Sequence, residues 1–173
     1  MTHLISLLAE HLLPNFLGAK EYEGQYDSHI FITTQRMGEK GMTSRYCYAL
    51  GIDKKDVRIV VLSEENLPDA RQKLQNENFS RGDRYFVNLT GGTKIMSVAV
   101  FQHFFKYSAE FFYVPIGTNK IEDVRTGEDL PLNYQVNIAE YLSFTDCILK
   151  QAKPNIDMMI TKARSLKNMF STK

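Results

Sequence analysis

The most informative stretch of this chain is Asn88-Leu89-Thr90-Gly91-Gly92-Thr93-Lys94-Ile95-Met96. An apolar run precedes it at residues 85–87, and an apolar run typical of a helix follows it at 97–101. This order predicts a strand, then a glycine turn that carries hydroxyl groups and a lysine, then a helix. The exposed amides of such a turn, together with the helix N-terminus, predict a binding site for an anion such as a phosphate.

The composition predicts one globular domain in the cytoplasm. The chain has 173 residues, of which 43% are hydrophobic and 24% are charged, and it contains no run long enough to span a membrane. Because the net charge is only +1, we expect no binding of long DNA or RNA, and a nucleotide ligand would require a local site. Cys47 and Cys147 match no metal-ligand spacing, so we expect reduced core thiols and no metal site.

Strand-like and helix-like segments alternate along the chain. Strands are predicted at 3–8, 29–33, 57–62, 84–89 and 110–114, and helices at 13–22, 43–50, 68–76 and 94–105. This alternation predicts an α/β, Rossmann-like three-layer fold with a mostly parallel central sheet and helices on both faces. The C-terminal part predicts a hairpin with strands at 120–124 and 132–136, and then a helix at 138–149 capped by Asn137.

Ligand sites in parallel sheets lie beyond the carboxyl ends of the strands. The loops expected at that end are 9–12, 33–37, 63–66, 90–94 and 115–118. The acidic residues Glu64, Glu65 and Asp69 resemble a metal cluster, but a solvated loop and the start of a helix explain them better. The turn at 90–94 therefore lies where a ligand would bind.

Three interpretations compete for the glycine turn. A P-loop requires Gly-Lys-Ser/Thr, whereas here Thr93 precedes Lys94 and Ile95 follows it. A dinucleotide fingerprint requires three spaced glycines after the first strand, whereas this turn has two adjacent glycines after the fourth. The third interpretation is that Gly91 and Gly92 only permit a tight turn. The flanking hydroxyls and lysine favour a ligand site over that third interpretation.

The turn and several other segments resemble one known family. Asn-Leu-Thr-Gly-Gly-Thr-Lys-Ile-Met-Ser at 88–97 looks like the signature of CARF domains, the CRISPR-associated Rossmann-fold sensors. It is most similar to the N-terminal sensors of the cyclic-oligoadenylate-activated Can/Card nucleases. Residues 7–15, 30–35, 111–117 and 140–142 resemble further segments of that family. The resemblance runs from roughly residue 4 to residue 149.

The resemblance implies a cyclic oligoadenylate sensor of type III CRISPR antiviral defence. It implies a homodimer that binds one ring, here cyclic tetra-adenylate, on its twofold axis, with no other cofactor. Residues 1–150 would form the sensing domain, and 151–173 a tail or connector to a fused or separate effector. The ligand-binding residues implied are Ala9, Glu10, His11, Leu12, Thr34, Gln35, Thr90, Gly91, Gly92, Thr93, Lys94, Met96 and Ile116.

Several alternatives stay open at the level of the sequence. The domain could be a ring nuclease that cleaves its ligand without metal, with Lys94, Thr93 and His11 as candidate catalytic residues. It could also be a plain nucleotide or dinucleotide binder, although the first strand lacks the necessary glycines. His11 fits a solvated loop as well as a ligand contact, and Met96 fits the core as well as an adenine contact. Ala9 departs from the family, whose first loop often carries a hydroxyl at this position. The chain is either a sensor cut from a longer protein or a natural stand-alone sensor.

Overall fold

A computed structural model describes residues 1–144 of the chain. The chain divides into two compact units, Met1–Gln135 and a second unit that begins at Val136. The strands of the first unit are β1 (Thr2–Leu7), β2 (Ser28–Thr34), β3 (Val57–Leu62), β4 (Arg84–Asn88), β5 (Ser108–Tyr113), β6 (Lys120–Asp123) and β7 (Asp129–Pro131). Its helices are α1 (Leu13–Glu21), α2 (Gln35–Glu39), α3 (Met42–Leu50), α4 (Leu67–Asn76) and α5 (Lys94–Phe104), with a 3₁₀ turn at Lys54–Asp56.

All seven strands join one sheet in the order β3-β2-β1-β4-β5-β6-β7. β1 to β5 are parallel to one another, whereas β6 and β7 are antiparallel additions at one edge. The predicted α/β Rossmann-like fold with a mostly parallel sheet is therefore confirmed. Strand order reverses beside β1, because the chain first adds β2 and β3 on one side and then crosses over to β4 on the other. Such a reversal places the loops after β1 and β4 side by side.

The sheet is covered by apolar side chains on both faces, as expected for parallel strands. On one face, Ile5, Ile32 and Val87 pack in a cluster with α4 and α5, which contribute Leu74 and Val100. On the other face, Leu4, Phe86 and Phe112 form a second cluster with Ala19 of α1. The two clusters pack the helices against both faces of the sheet.

The second strand of the hairpin differs from its prediction. β7 lies at Asp129–Pro131, whereas the sequence predicted 132–136. The Asp123 carboxylate accepts hydrogen bonds from the N–H groups of Arg125 (2.7 Å) and Thr126 (2.9 Å), and Gly127 adopts a positive φ of 72°. These contacts close the turn directly after Asp123, so the returning strand begins earlier than its apolar residues suggested.

The segment after β2 also differs, because residues 33–37 were predicted to be a loop. Thr34 instead ends β2 and caps α2, since its side-chain oxygen accepts a hydrogen bond from the Met37 N–H at 3.2 Å. A threonine that accepts this bond is a common helix start. The cap holds the side chain of Thr34 in the interior and turns the next residues outward.

The second unit is described here as far as residue 144. α6 spans Ile138–Phe144, and Asn137 caps it as predicted: Asn137 Oδ1 accepts from the Glu140 N–H, and Glu140 Oε2 accepts from the Asn137 N–H, both at 2.9 Å. The predicted helix residues 145–149, the tail at 151–173 and Cys147 lie outside the described residues. Cys47 is a buried free thiol, as predicted. No helix in residues 1–144 has the length and apolarity needed to cross a membrane.

Candidate ligand-binding site at the carboxyl ends of the strands

The glycine turn lies directly against the end of β1. A Cβ atom added to Gly91 would lie 1.9 Å from the Leu7 carbonyl oxygen and 2.5 Å from Asn15 Nδ2. Asn15 Nδ2 donates a hydrogen bond of 2.7 Å to that same Leu7 carbonyl oxygen, so α1 is attached to β1 at this point. Only glycine fits at position 91, because any Cβ atom would overlap the Leu7 carbonyl oxygen. The turn after β4 is therefore in direct contact with the end of β1.

Thr90 attaches the turn to β4 and to the end of β5. Its hydroxyl donates to Asn88 Oδ1 and accepts a hydrogen bond of 2.8 Å from the Val114 N–H. The Thr90 N–H also donates to Asn88 Oδ1, at 3.0 Å. Since Asn88 is fully buried, this network attaches the start of the turn to the interior of the sheet. Thr90, predicted to bind ligand, has its hydroxyl committed to the protein itself.

Thr93 begins the helix that follows the turn. Its side-chain oxygen caps α5 by accepting a hydrogen bond from the Met96 N–H at 3.2 Å, and the same hydroxyl lies 3.4 Å from the Glu64 carbonyl oxygen. Within residues 1–144, the N–H groups of Gly91, Gly92 and Thr93 have no hydrogen-bond acceptor. Unpaired turn amides beside the N-terminus of an eleven-residue helix are suited to an anion.

A cavity of about 200 Å³ opens beside this turn. Six residues predicted from the sequence line it, namely Ala9, Glu10, Thr34, Gly92, Thr93 and Met96. Four lining residues were not predicted as ligand contacts, namely Leu8, Arg36, Met37 and Glu64. Arg36 and Glu64 do lie in loops that were predicted at the ligand end, so position along the chain was the signal that could have identified them.

The other predicted residues do not line the cavity. His11 and Lys94 are exposed, whereas Leu12 and Gly91 are buried. Gln35 is exposed and its side chain donates to Glu39 Oε1 at 2.9 Å. The side chain of Ile116 is 75% exposed in the loop after β5. Met96, which lines the cavity, is itself fully buried, so its side chain is part of the core.

Charged side chains around the cavity are arranged mainly as pairs. Arg36 Nε lies 3.3 Å from Glu64 Oε2, and Lys40 forms an ion pair with Glu10. The hydrogen bond from Lys40 lowers the pKa of the Glu10 carboxyl below its ordinary value. Lys94 is the first residue of α5 and has no ion pair with any residue in 1–144. The ammonium group of Lys94 therefore has no competing carboxylate among these residues.

The described residues offer no obvious metal site or buried base in this cavity. No group of three or more His, Cys, Asp or Glu side chains in residues 1–144 is placed to hold a metal ion. The buried histidines lie elsewhere: His29 donates or accepts a bond of 2.8 Å with Ser6 Oγ, and His103 stacks on Tyr107. Glu64, expected in a solvated loop, is instead half-buried and paired with Arg36.

Several solved structures have the same fold. Can2 from Sulfobacillus thermosulfidooxidans, in complex with cyclic tetra-adenylate (cA4), is similar with a TM-score of 0.68 and 20% identity. The match covers 96% of this chain and 47% of Can2. VC1899 from Vibrio cholerae matches with a TM-score of 0.68 and 13% identity over 83% of this chain and 39% of that protein.

A type III CRISPR defence DNA nuclease activated by cyclic oligoadenylate matches with a TM-score of 0.59 and 19% identity, over 83% of this chain and 24% of the nuclease. This chain thus spans less than half the length of each of the three proteins. A comparison with curated proteins gives no match. The family model of the Card1 CARF domain matches residues 3–141, which is most of the chain. The chain therefore belongs to the Card1 CARF domain family.

Proposed function

We propose that this chain is the sensing domain of a type III CRISPR defence protein and that it binds cyclic tetra-adenylate across a homodimer interface. The observation that carries the proposal is the contact between Gly91 and Leu7, which joins the glycine turn to the end of β1 beside a cavity. Family membership and the similarity to Can2, which was solved with cA4, support the same ligand.

The size of the cavity supports a site shared by two chains. Pockets that bury a small organic ligand have volumes of roughly 300–1,000 Å³. One chain offers about 200 Å³, which is too little for a ring of four nucleotides. A second copy facing the first across a twofold axis would double the number of turns, helix N-termini and Lys94 side chains around the ring.

The chemistry of the turn supports recognition of the ring's phosphates. Each chain offers the unpaired amides at 91–93 and the ammonium group of Lys94. Ala9 and Glu10 line the same cavity and would face ribose or adenine. Binding at this edge would regulate an effector, either fused to this domain or separate, as the greater length of Can2 and of the nuclease suggests.

Isothermal titration calorimetry with cyclic tetra-adenylate and cyclic hexa-adenylate tests the proposal. We expect tighter binding of the four-membered ring and a stoichiometry of one ring to two chains. Gly92→Val should abolish binding, because position 92 has a φ of 76° and its Cβ would contact Leu7 and Met96 at 3.2 Å. Binding that is unchanged in both Lys94→Ala and Gly92→Val would contradict the proposal.

Chromatography of the ring after long incubation separates sensing from cleavage. A metal-independent ring nuclease would align a ribose 2′-hydroxyl with the adjacent phosphate, and Lys94, Thr93 and His11 are the candidate residues. The Thr93 hydroxyl is already engaged as a helix cap, and Glu10 and Glu64 are each paired with a cation. An intact ring would leave sensing as the function, whereas linear products that vanish in Lys94→Ala would assign cleavage.

A further inference from the structure

The cavity has a charge composition that is unusual for an anion site. Two carboxylates, Glu10 and Glu64, line it together with the single guanidinium group of Arg36. A phosphate that entered the cavity would meet both carboxylates at close range, and like charges repel one another. A site for phosphates therefore requires the carboxylates either to be neutralised or to have another role.

Each carboxylate is neutralised by a cation of the same chain. Lys40 pairs with Glu10, and Arg36 pairs with Glu64 at 3.3 Å. The two pairs differ in one respect, because Lys40 does not line the cavity whereas Arg36 does. Arg36 is thus already in the cavity, and its guanidinium group is the type of cation that binds phosphate in a bidentate manner.

The two members of the Arg36–Glu64 ion pair differ in how closely the protein encloses them. Two contacts hold the backbone around Glu64: the preceding Ser63 accepts a hydrogen bond from the Asn66 N–H at 3.2 Å, and the Glu64 carbonyl oxygen lies 3.4 Å from the Thr93 hydroxyl. The Glu64 side chain is 28% exposed, whereas that of Arg36 is 58% exposed. The carboxylate is therefore the more enclosed partner of the pair, and the longer, more exposed arginine side chain has more room to change its position.

We infer that Glu64 is an internal counter-ion that competes with the phosphates of the ligand for Arg36. This inference rests on the proposed function of the same cavity. In the ligand-free chain Glu64 holds Arg36 at the edge of the cavity. When the ring binds, Arg36 leaves Glu64 and contacts a phosphate, so the lost ion pair reduces the observed affinity. Glu64 sets the concentration of messenger at which the domain responds.

The matched variants Glu64→Gln and Glu65→Gln test this inference. Both remove one negative charge from the same loop, but Glu65 is exposed and has no ion pair with any residue in 1–144. We expect Glu64→Gln to tighten binding of cyclic tetra-adenylate by roughly two- to fivefold, the range of a partly exposed ion pair. Glu65→Gln should change the affinity by much less. In an Arg36→Gln background, the gain from Glu64→Gln should fall to that of Glu65→Gln.

A second measurement does not depend on the ring. The Nε–Hε signal of Arg36 in an NMR spectrum should shift when sodium tripolyphosphate is added, and at a lower concentration in Glu64→Gln than in Glu65→Gln. Equal effects of the two variants, with either probe, would overturn the inference and would indicate a general effect of charge. Failure of all variants to bind the ring, while tripolyphosphate still displaces Arg36 more readily in Glu64→Gln, would instead contradict the sensing proposal alone. No binding of either probe would contradict both.

Discussion

The backbone of Gly91 approaches Leu7 so closely that a Cβ atom at position 91 would lie 1.9 Å from the Leu7 carbonyl oxygen. That oxygen is also the acceptor for Asn15 Nδ2 at 2.7 Å. An added methyl group would therefore displace both the first strand and the helix that follows it. The contact makes the glycine turn dependent on the position of β1.

We expect Gly91→Ala to lower the free energy of unfolding by about 1–3 kcal/mol, the usual cost of an overpacked interior. It should also abolish binding of cyclic tetra-adenylate, because the turn can no longer lie against Leu7. Urea denaturation and calorimetry measure the two effects. Gly38→Ala is the control: nothing lies within 4 Å of a Cβ at that position of α2, so stability should be unchanged or slightly higher.

Thr90 should be required for the hydrogen-bond network rather than for ligand contact. Thr90→Val keeps the shape of the side chain but leaves the Val114 N–H without its acceptor, and Asn88 Oδ1 keeps only the Thr90 N–H as a donor. We expect a loss of about 1–3 kcal/mol in the free energy of unfolding, since these polar groups are partly buried. Thr90→Ser should restore most of the stability. Equal stability of the valine and serine variants would show that the hydroxyl contributes nothing.

Lys94 should contribute to ligand affinity without contributing to stability. Because it has no ion pair within residues 1–144, Lys94→Ala should leave the unfolding temperature nearly unchanged. We expect the affinity for cyclic tetra-adenylate to fall by roughly tenfold or more, as expected for the loss of a charge-assisted hydrogen bond. Lys106→Ala removes the same charge beyond the opposite end of α5. Its affinity should match that of the unmodified chain, and an equal loss in both variants would point to net charge alone.

His29 should make the fold sensitive to acid. Burial lowers the pKa of His29 from 6.5 to about 3, so the folded chain keeps the imidazole neutral while the unfolded chain protonates it near pH 6.5. The contribution of neutral His29 to the free energy of unfolding is therefore fully present above pH 6.5. It is lost as the pH falls toward 3, by up to about 1.4 kcal/mol per pH unit.

Burial also lowers the pKa of His103, to about 4. Protonation of His103 in the unfolded chain therefore also lowers the free energy of unfolding as the pH falls from 6.5 toward 4. We expect His29→Leu to remove one of the two contributions and to make the decline of stability between pH 6.5 and 4 shallower. Chemical denaturation at a series of pH values measures this slope. An unchanged slope in His29→Leu would assign the acid sensitivity to other groups.

Local patterns in the sequence were sufficient for the framework of the fold. Alternation of apolar runs predicted the parallel sheet, and the glycines at 91 and 92 predicted the turn beside the ligand edge. The sequence predicted a loop at Thr34, whereas Thr34 ends β2 and caps α2 through the Met37 N–H. Sequence patterns do not show this cap, because it depends on where β2 ends. The prediction of the second hairpin strand at 132–136 was wrong, because β7 lies at Asp129–Pro131. The Asp123 carboxylate closes the hairpin turn, and the apolar residues at 132–136 do not.

The pairing of Arg36 with Glu64 could not be predicted from sequence patterns. The two residues lie in separate loops, and they meet only because β2 and β3 are neighbours in the sheet. Composition and periodicity describe one segment at a time and carry no information about such a contact. Leu12 shows the same limit, because a residue in a ligand-side loop proved to be a buried core residue.

The order of strands also governs when the site can form during protein synthesis. β1 is translated before the other strands of its sheet, yet one of its two neighbours is β4, with Thr2 paired to Arg84. The ribosome must therefore complete about half of the chain before the N-terminal strand is hydrogen-bonded on both edges. The cavity beside Gly92 cannot exist on a nascent chain that ends before α5. A domain of this topology can form its cavity only after the crossover to β4 has been translated and folded.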